Sequence, residues 1–182
     1  MRSKYDSYYD NKVDHADLGV KILFENNMIR KFIEIDNYDN IIFKAVKNHN
    51  KYKIENNLNS AETIHTKVIR DADKIDILNE ISKRTFKSIY NKEEISNQNI
   101  SDKVYGSIMN ERLVNINDVN TDLDHWILKV GYIFDINFEV SKQIIKDNQS
   151  VLRFIDRINT DNEDTNKKLQ DIRKKVISYL DK

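Results

Sequence analysis

The chain has no proline, no cysteine and only 3 glycines among its 182 residues. A chain of this length ordinarily carries about 13 glycines and 9 prolines. The residues that make tight turns and break helices are thus nearly missing. All-β sandwiches and barrels, which need such turns every ~8–12 residues, are excluded. Three scattered glycines cannot form the phosphate-cradling loop of either nucleotide-binding type. Without cysteine there is no disulfide framework, no thiolate metal site and no thiol nucleophile. An excess of one charge is also missing, since 30 Lys+Arg are balanced by 30 Asp+Glu. Duplex nucleic acid or an anionic membrane surface would call for a basic excess, so neither is an expected partner. No apolar run approaches the roughly 20 residues that cross a bilayer. The opening MRSKYDSYYD lacks the apolar core of a signal peptide and reads as a loop or arm. The expectation is a soluble, cytoplasmic, all-α bundle of about six to eight helices in a single domain spanning 1–182.

What is present is helical periodicity. Asp14 is placed to cap a first helix that carries Leu18, Ile22 and Leu23 on one face. Asp39 is placed to cap a second, DNIIFKAVKNHN, with Ile42, Phe43 and Val46 inward and its end marked by Asn48, His49 and Asn50. The third helix, from about Ser60 to Arg84, is the best defined, and Ser60-Ala61-Glu62-Thr63 is a near miss for a capping box. At 100° per residue, Ile64, Val68, Ala72, Ile75 and Leu78 form one broad stripe, with Ile69 and Ile77 opposite. Apolar residues on both sides predict a central helix packed on both sides. Short helices are expected around Thr85–Tyr90 and Ile100–Leu113. A further face carries Leu123, Trp126, Ile127, Val130 and Phe134, with Gly131 allowing close packing. After a break at Asp135–Asn137, helix is expected from Val140 to Ile158 and again from about Glu163 to Leu180.

Two carboxylates, Asp71 and Asp73, fall within the stripes of the third helix. A buried carboxylate is costly unless it is paired, hydrogen-bonded or bound to metal, so both are candidates for a functional role. The four histidines are His15, His49, His65 and His125. His15 opens the first helix and His49 closes the second, two element ends where side chains can converge on one cleft. Imidazole with carboxylate suits Zn, Mn, Fe or Ni ions.

On these residues the stretches DHADLGVKILFE, AVKNHN and VIRDADKIDIL resemble the HD-domain superfamily of metal-dependent phosphohydrolases. The resemblance covers roughly residues 14–80 and implies an all-α bundle with a site that binds divalent metal. His15 and His49 match histidines that the multi-metal members add, and Asp73 in Ala72-Asp73-Lys74 matches the distal aspartate. Asp71 remains a competing ligand by its place on the helix. The resemblance implies a nucleotide or other phosphate ester as substrate, attacked by metal-activated water. The metal would be Mn, Fe, Ni, Mg or Zn, and Arg70 and Lys74 would reach the substrate phosphate. The chain departs from the family in having no His-Asp dipeptide; Asp14-His15 and Asp124-His125 run the other way. The family's first helices and their ligands are expected to be truncated, supplied by another chain or lost. In the last case the chain would be an HD-like binding or regulatory module. A bundle short of helices should expose an apolar face and self-associate.

Overall fold

Asp14 caps the first helix as its position predicts. In a computed structural model that describes residues 14–85, 87 and 98–182, its side chain accepts from the amides of Ala16 and Asp17. Helix α1 (His15–Val20) continues into a π-helical turn, Lys21–Glu25, and a short 3-10 segment follows at Met28–Lys31. Then come α2 (Asp39–Asn48), α3 (Ser60–Lys83), α4 (Asp102–Met109) and α5 (Asp122–Ile127). Leu128–Asp135 prolongs α5 as 3-10 helix, before α6 (Glu139–Asn148), α7 (Ser150–Asp156) and α8 (Glu163–Leu180). The described residues hold eight α-helices and no strand, so the fold is all-α. Among them no helix is long and apolar enough to cross a membrane. The expected arm at 1–13, and most of the expected helix around 85–90, lie outside the described residues.

Two compact units divide the chain, residues 1–70 and 71–182. In the first, α1 packs on α2, and Gly19 allows their approach, since a Cβ there would meet Val46 at 3.3 Å. Among the described residues, the buried apolar ones of this unit are Ala16, Val20, Ile29 and Ala45, whereas the second unit buries twenty. At about 2 kcal/mol for each large aliphatic side chain removed from water, the first unit gains little from a core. Polar contacts take its place. Asp39 was expected to cap α2; instead Tyr38 occupies the cap position, and the Asp39 carboxylate pairs with Arg30. Lys44 Nζ donates to Glu55 at 2.6 Å, and Asn40 donates to buried Glu62.

Helix α3 departs most from its predicted face. Of the expected stripe only Leu78 is fully buried; Ile64 and Val68 are 53% and 49% exposed, and Ala72 is exposed as well. The buried row in the first unit is Glu62, Thr66 and Arg70, and in the second Asp71, Lys74, Leu78 and Ile81. Glu62 is inward because it belongs to a true capping box. The Asn59 side chain accepts from the Glu62 amide at 3.0 Å, and Glu62 accepts from the Asn59 amide at 2.9 Å. The box therefore sits one residue earlier than the Ser60 reading placed it. Of the eleven large apolar side chains exposed among the described residues, eight lie in the first unit, among them Phe32, Ile35, Tyr38 and Tyr52.

The second unit has a conventional core built on Leu78, Ile108, Leu123, Ile127, Phe154 and Ile172. Trp126 stacks on Phe154 with ring centroids 5.1 Å apart. Gly131 lies in close packing as expected: a Cβ would meet Ile108 at 3.3 Å and backbone atoms of Arg112 and Val114 at 3.4 Å. The stretch predicted as one helix from Val140 to Ile158 is two, interrupted where Gln149 adopts φ 48°.

The capping register gives a direct test. Asn59→Ala is expected to lower stability by about 1 kcal/mol, while Ser60→Ala changes it by no more than a few tenths, both read by urea denaturation.

Candidate metal half-site

The site begins with two helix ends. His15 is the first residue of α1 and His49 follows the last residue of α2. Their Nε2 atoms come within 3.1 Å, with ring centroids 5.0 Å apart at 64°. His49 Nδ1 lies 2.7 Å from the carbonyl of Val46. A carbonyl only accepts, so Nδ1 carries the proton and Nε2 of a neutral His49 presents a lone pair. That lone pair faces His15. Without an ion, the geometry is a hydrogen bond from His15 Nε2–H to His49 Nε2. It also fits a shared metal. An ion bound by two imidazole nitrogens at about 2.0–2.1 Å holds them about 2.9 Å apart at a right angle and about 3.4 Å apart at the tetrahedral angle.

Two polar clusters hold the histidines in place. On the His15 side, Asp14 caps α1 and accepts from Asn50 Nδ2 at 2.8 Å and Lys51 Nζ at 2.5 Å, which ties the start of α1 to the residues after α2. Burial pushes the Asp14 carboxyl upward, but the hydrogen bonds from Lys51, Asn50 and the Ala16 amide outweigh it and hold the group well below the usual carboxylate range. The same hydrogen bond raises the Lys51 ammonium. On the His49 side stands Arg70, 2% exposed. Its guanidinium donates to the carbonyls of Asn48, His49, Lys51 and Tyr52, all within 3.3 Å.

These contacts change how the expected phosphate ligands read. Arg70 does not present its guanidinium to solvent; its donors are spent on backbone carbonyls. In the second unit Lys74 is likewise buried, in an ion pair with Asp135 at 2.8 Å and 6.0 Å from the centre of the Tyr132 ring. The two candidate carboxylates also separate. Asp71 is 2% exposed and accepts from the amides of Asn137 and Phe138 at 3.0 Å and from Asn137 Nδ2 at 2.8 Å. It satisfies the start of α6 from outside that helix, where orphan amides and the helix dipole favour an anion. Asp73 is half-buried and has no hydrogen-bond or ion-pair partner among the described residues. Among those residues no three His, Cys, Asp or Glu side chains gather in a metal-holding group. Of the candidate ligands, the structure brings together His15 and His49. His65 is exposed, and His125 lines a recess of about 400 Å³ with Gln98, Asn120, Thr121 and Asp122.

Sequence reasoning did not assign roles to Asn50, Lys51 or the Val46 carbonyl. The available signal was the polar run Asn48-His49-Asn50-Lys51 at the end of α2, where a helix end needs partners for its last carbonyls.

Two outcomes test the assignments. Asp71→Ala leaves buried amides without acceptors and is expected to cost about 2–4 kcal/mol, whereas Asp73→Ala costs less than about 1 kcal/mol, by urea denaturation. For Asp14, whose folded pKa is depressed, the stabilisation is complete above the ordinary aspartate pKa of about 3.9 and is lost as pH falls toward the folded value. The stability difference between the wild type and Asp14→Asn should stay constant above about pH 5 and shrink below about pH 4, measured by chemical denaturation across that range.

The chain matches no protein-family model, no curated protein and no solved structure.

Proposed function

We propose that the chain is an HD-type metal-dependent phosphohydrolase component in which His15 and His49 supply two imidazole ligands to a divalent ion. The observation that carries this reading is the 3.1 Å approach of the two Nε2 atoms, with the His49 proton fixed on Nδ1. An Nδ1–H bonded to a carbonyl is the outer contact that orients a ligating histidine. Bound there, a Mn, Fe, Ni, Mg or Zn ion would polarise phosphate oxygens and make water acidic enough to attack phosphorus near neutral pH. The chain's own residues do the rest of the work. Asp14, Asn50 and Lys51 hold His15 beside His49, and the Val46 carbonyl fixes the His49 ring. The resemblance implies Asp73 as the carboxylate ligand. The substrate class is a nucleotide or another phosphate ester.

A second reading is a helical binding or regulatory module that keeps the scaffold without hydrolysis. The commitment of Arg70 and Lys74 to carbonyls and to Asp135 favours it, since neither is presented as a phosphate clamp. Self-association through the exposed apolar side chains of the first unit belongs to either reading.

Calorimetric titration of the metal-stripped protein with Zn²⁺, Mn²⁺ and Ni²⁺ tests both. The first reading expects saturable binding that weakens at least tenfold in His49→Ala, together with metal-dependent hydrolysis of a nucleotide or aryl phosphate panel that Asp73→Asn abolishes. Binding without hydrolysis selects the second reading. Absence of binding to every ion contradicts the metal site.

A further inference from the structure

We infer that Arg70 is the positioning residue for His49, setting the direction of its Nε2 lone pair by clamping the backbone on both sides of it. The inference rests on the metal half-site proposed above but concerns a residue that touches neither metal nor substrate.

The last carbonyls of a helix have no partner within it, and His49 sits among them, immediately after Asn48. Four of the carbonyls in this stretch, those of Asn48, His49, Lys51 and Tyr52, accept from a single guanidinium. Only arginine can do this: its planar fork carries five N–H donors, where lysine offers one compact ammonium. A cation at a helix C-terminus is also favoured by the helix dipole. The clamp is itself anchored, because Arg70 is 2% exposed and lies within α3.

Neighbouring bonds leave His49 little other freedom. Asn48 Nδ2 donates to the Lys44 carbonyl at 2.9 Å, and Asn48 Oδ1 accepts from the Glu55 amide at 3.1 Å. The ring of His49 bonds back to Val46. The backbone of His49 is thus fixed on its N-terminal side by Asn48 and on its C-terminal side by Lys51 and Tyr52, with Arg70 common to both sides. Releasing the clamp frees the ψ angle at His49 and the loop that carries Lys51, the partner of Asp14. The Nε2–Nε2 approach of His15 and His49 depends on both.

The test compares wild type with Arg70→Gln and Arg70→Lys by long-range ¹H–¹⁵N correlation of the imidazoles at alkaline pH, by zinc titration calorimetry, and by far-UV circular dichroism through a thermal melt. In wild type His49 shows a single Nδ1–H tautomer. In Arg70→Gln, with the helical spectrum and cooperative melt retained, that tautomer gives way to a mixture and zinc affinity falls roughly tenfold. Millimolar guanidinium added to Arg70→Gln restores part of the affinity, and the same concentration of urea does not. Arg70→Lys, which keeps the charge but not the fork, loses the tautomer as well, and it carries the test if Arg70→Gln fails to fold. A folded variant with an unchanged His49 tautomer, or with unchanged zinc affinity, overturns the inference. Failure of the wild type to bind zinc removes the proposed function instead, and the tautomer readout alone then decides the role of Arg70.

Discussion

The first unit depends on a buried guanidinium at the end of a helix. Arg70 satisfies carbonyls that α2 cannot satisfy itself, in a unit whose described residues bury two alanines and two larger apolar side chains. A conventional core fixes elements through many weak contacts; here a few directional bonds do so. The consequence is specificity of position more than stability, because a buried charge removed from water costs much of what its hydrogen bonds return. That trade suits a place where two imidazoles on different helices meet, His15 and His49 with their Nε2 atoms 3.1 Å apart.

Two other polar devices extend the same logic. Asp14 serves at once as the cap of α1 and as the acceptor for Asn50 and Lys51, so the residue that starts the helix of His15 also ties it to the loop of His49. In the second unit, Asp71 satisfies the start of α6 and Asp124 accepts from the amides of Ser101, Asn120 and Thr121. Each aspartate joins segments distant in sequence through orphan amides. In a chain without proline and with three glycines, side chains of this kind define the helix ends that turn residues define elsewhere.

Much of the fold was legible in the sequence because helical periodicity is a local property. The spans of α2, α3 and α8, the cap at Asp14 and the close packing at Gly131 all follow from short stretches. The face of α3 did not. Its apolar stripe through Ile64 and Val68 is regular, yet burial follows the row of Glu62, Thr66 and Arg70; for Glu62 and Arg70, partners 18 to 22 residues away supply donors and acceptors that no local pattern reveals. The capping box departs from its expected register for a simpler reason: Ser60 is a cap residue by type, while Asn59 meets the three-residue spacing to Glu62. Of the candidate site, the histidine pair was legible from its place at two helix ends. Arg70 and Lys74 were not, since a cation beside a ligand and a cation that braces the backbone look alike in sequence.

The central claim is that His15 and His49 together face one ion. X-ray absorption at the zinc edge of the zinc-loaded protein measures this directly. The account predicts two imidazole contributions with a first shell at about 2.0–2.1 Å, falling to one in His49→Ala. A spectrum without imidazole scattering, or one unchanged by removal of His49, would contradict it.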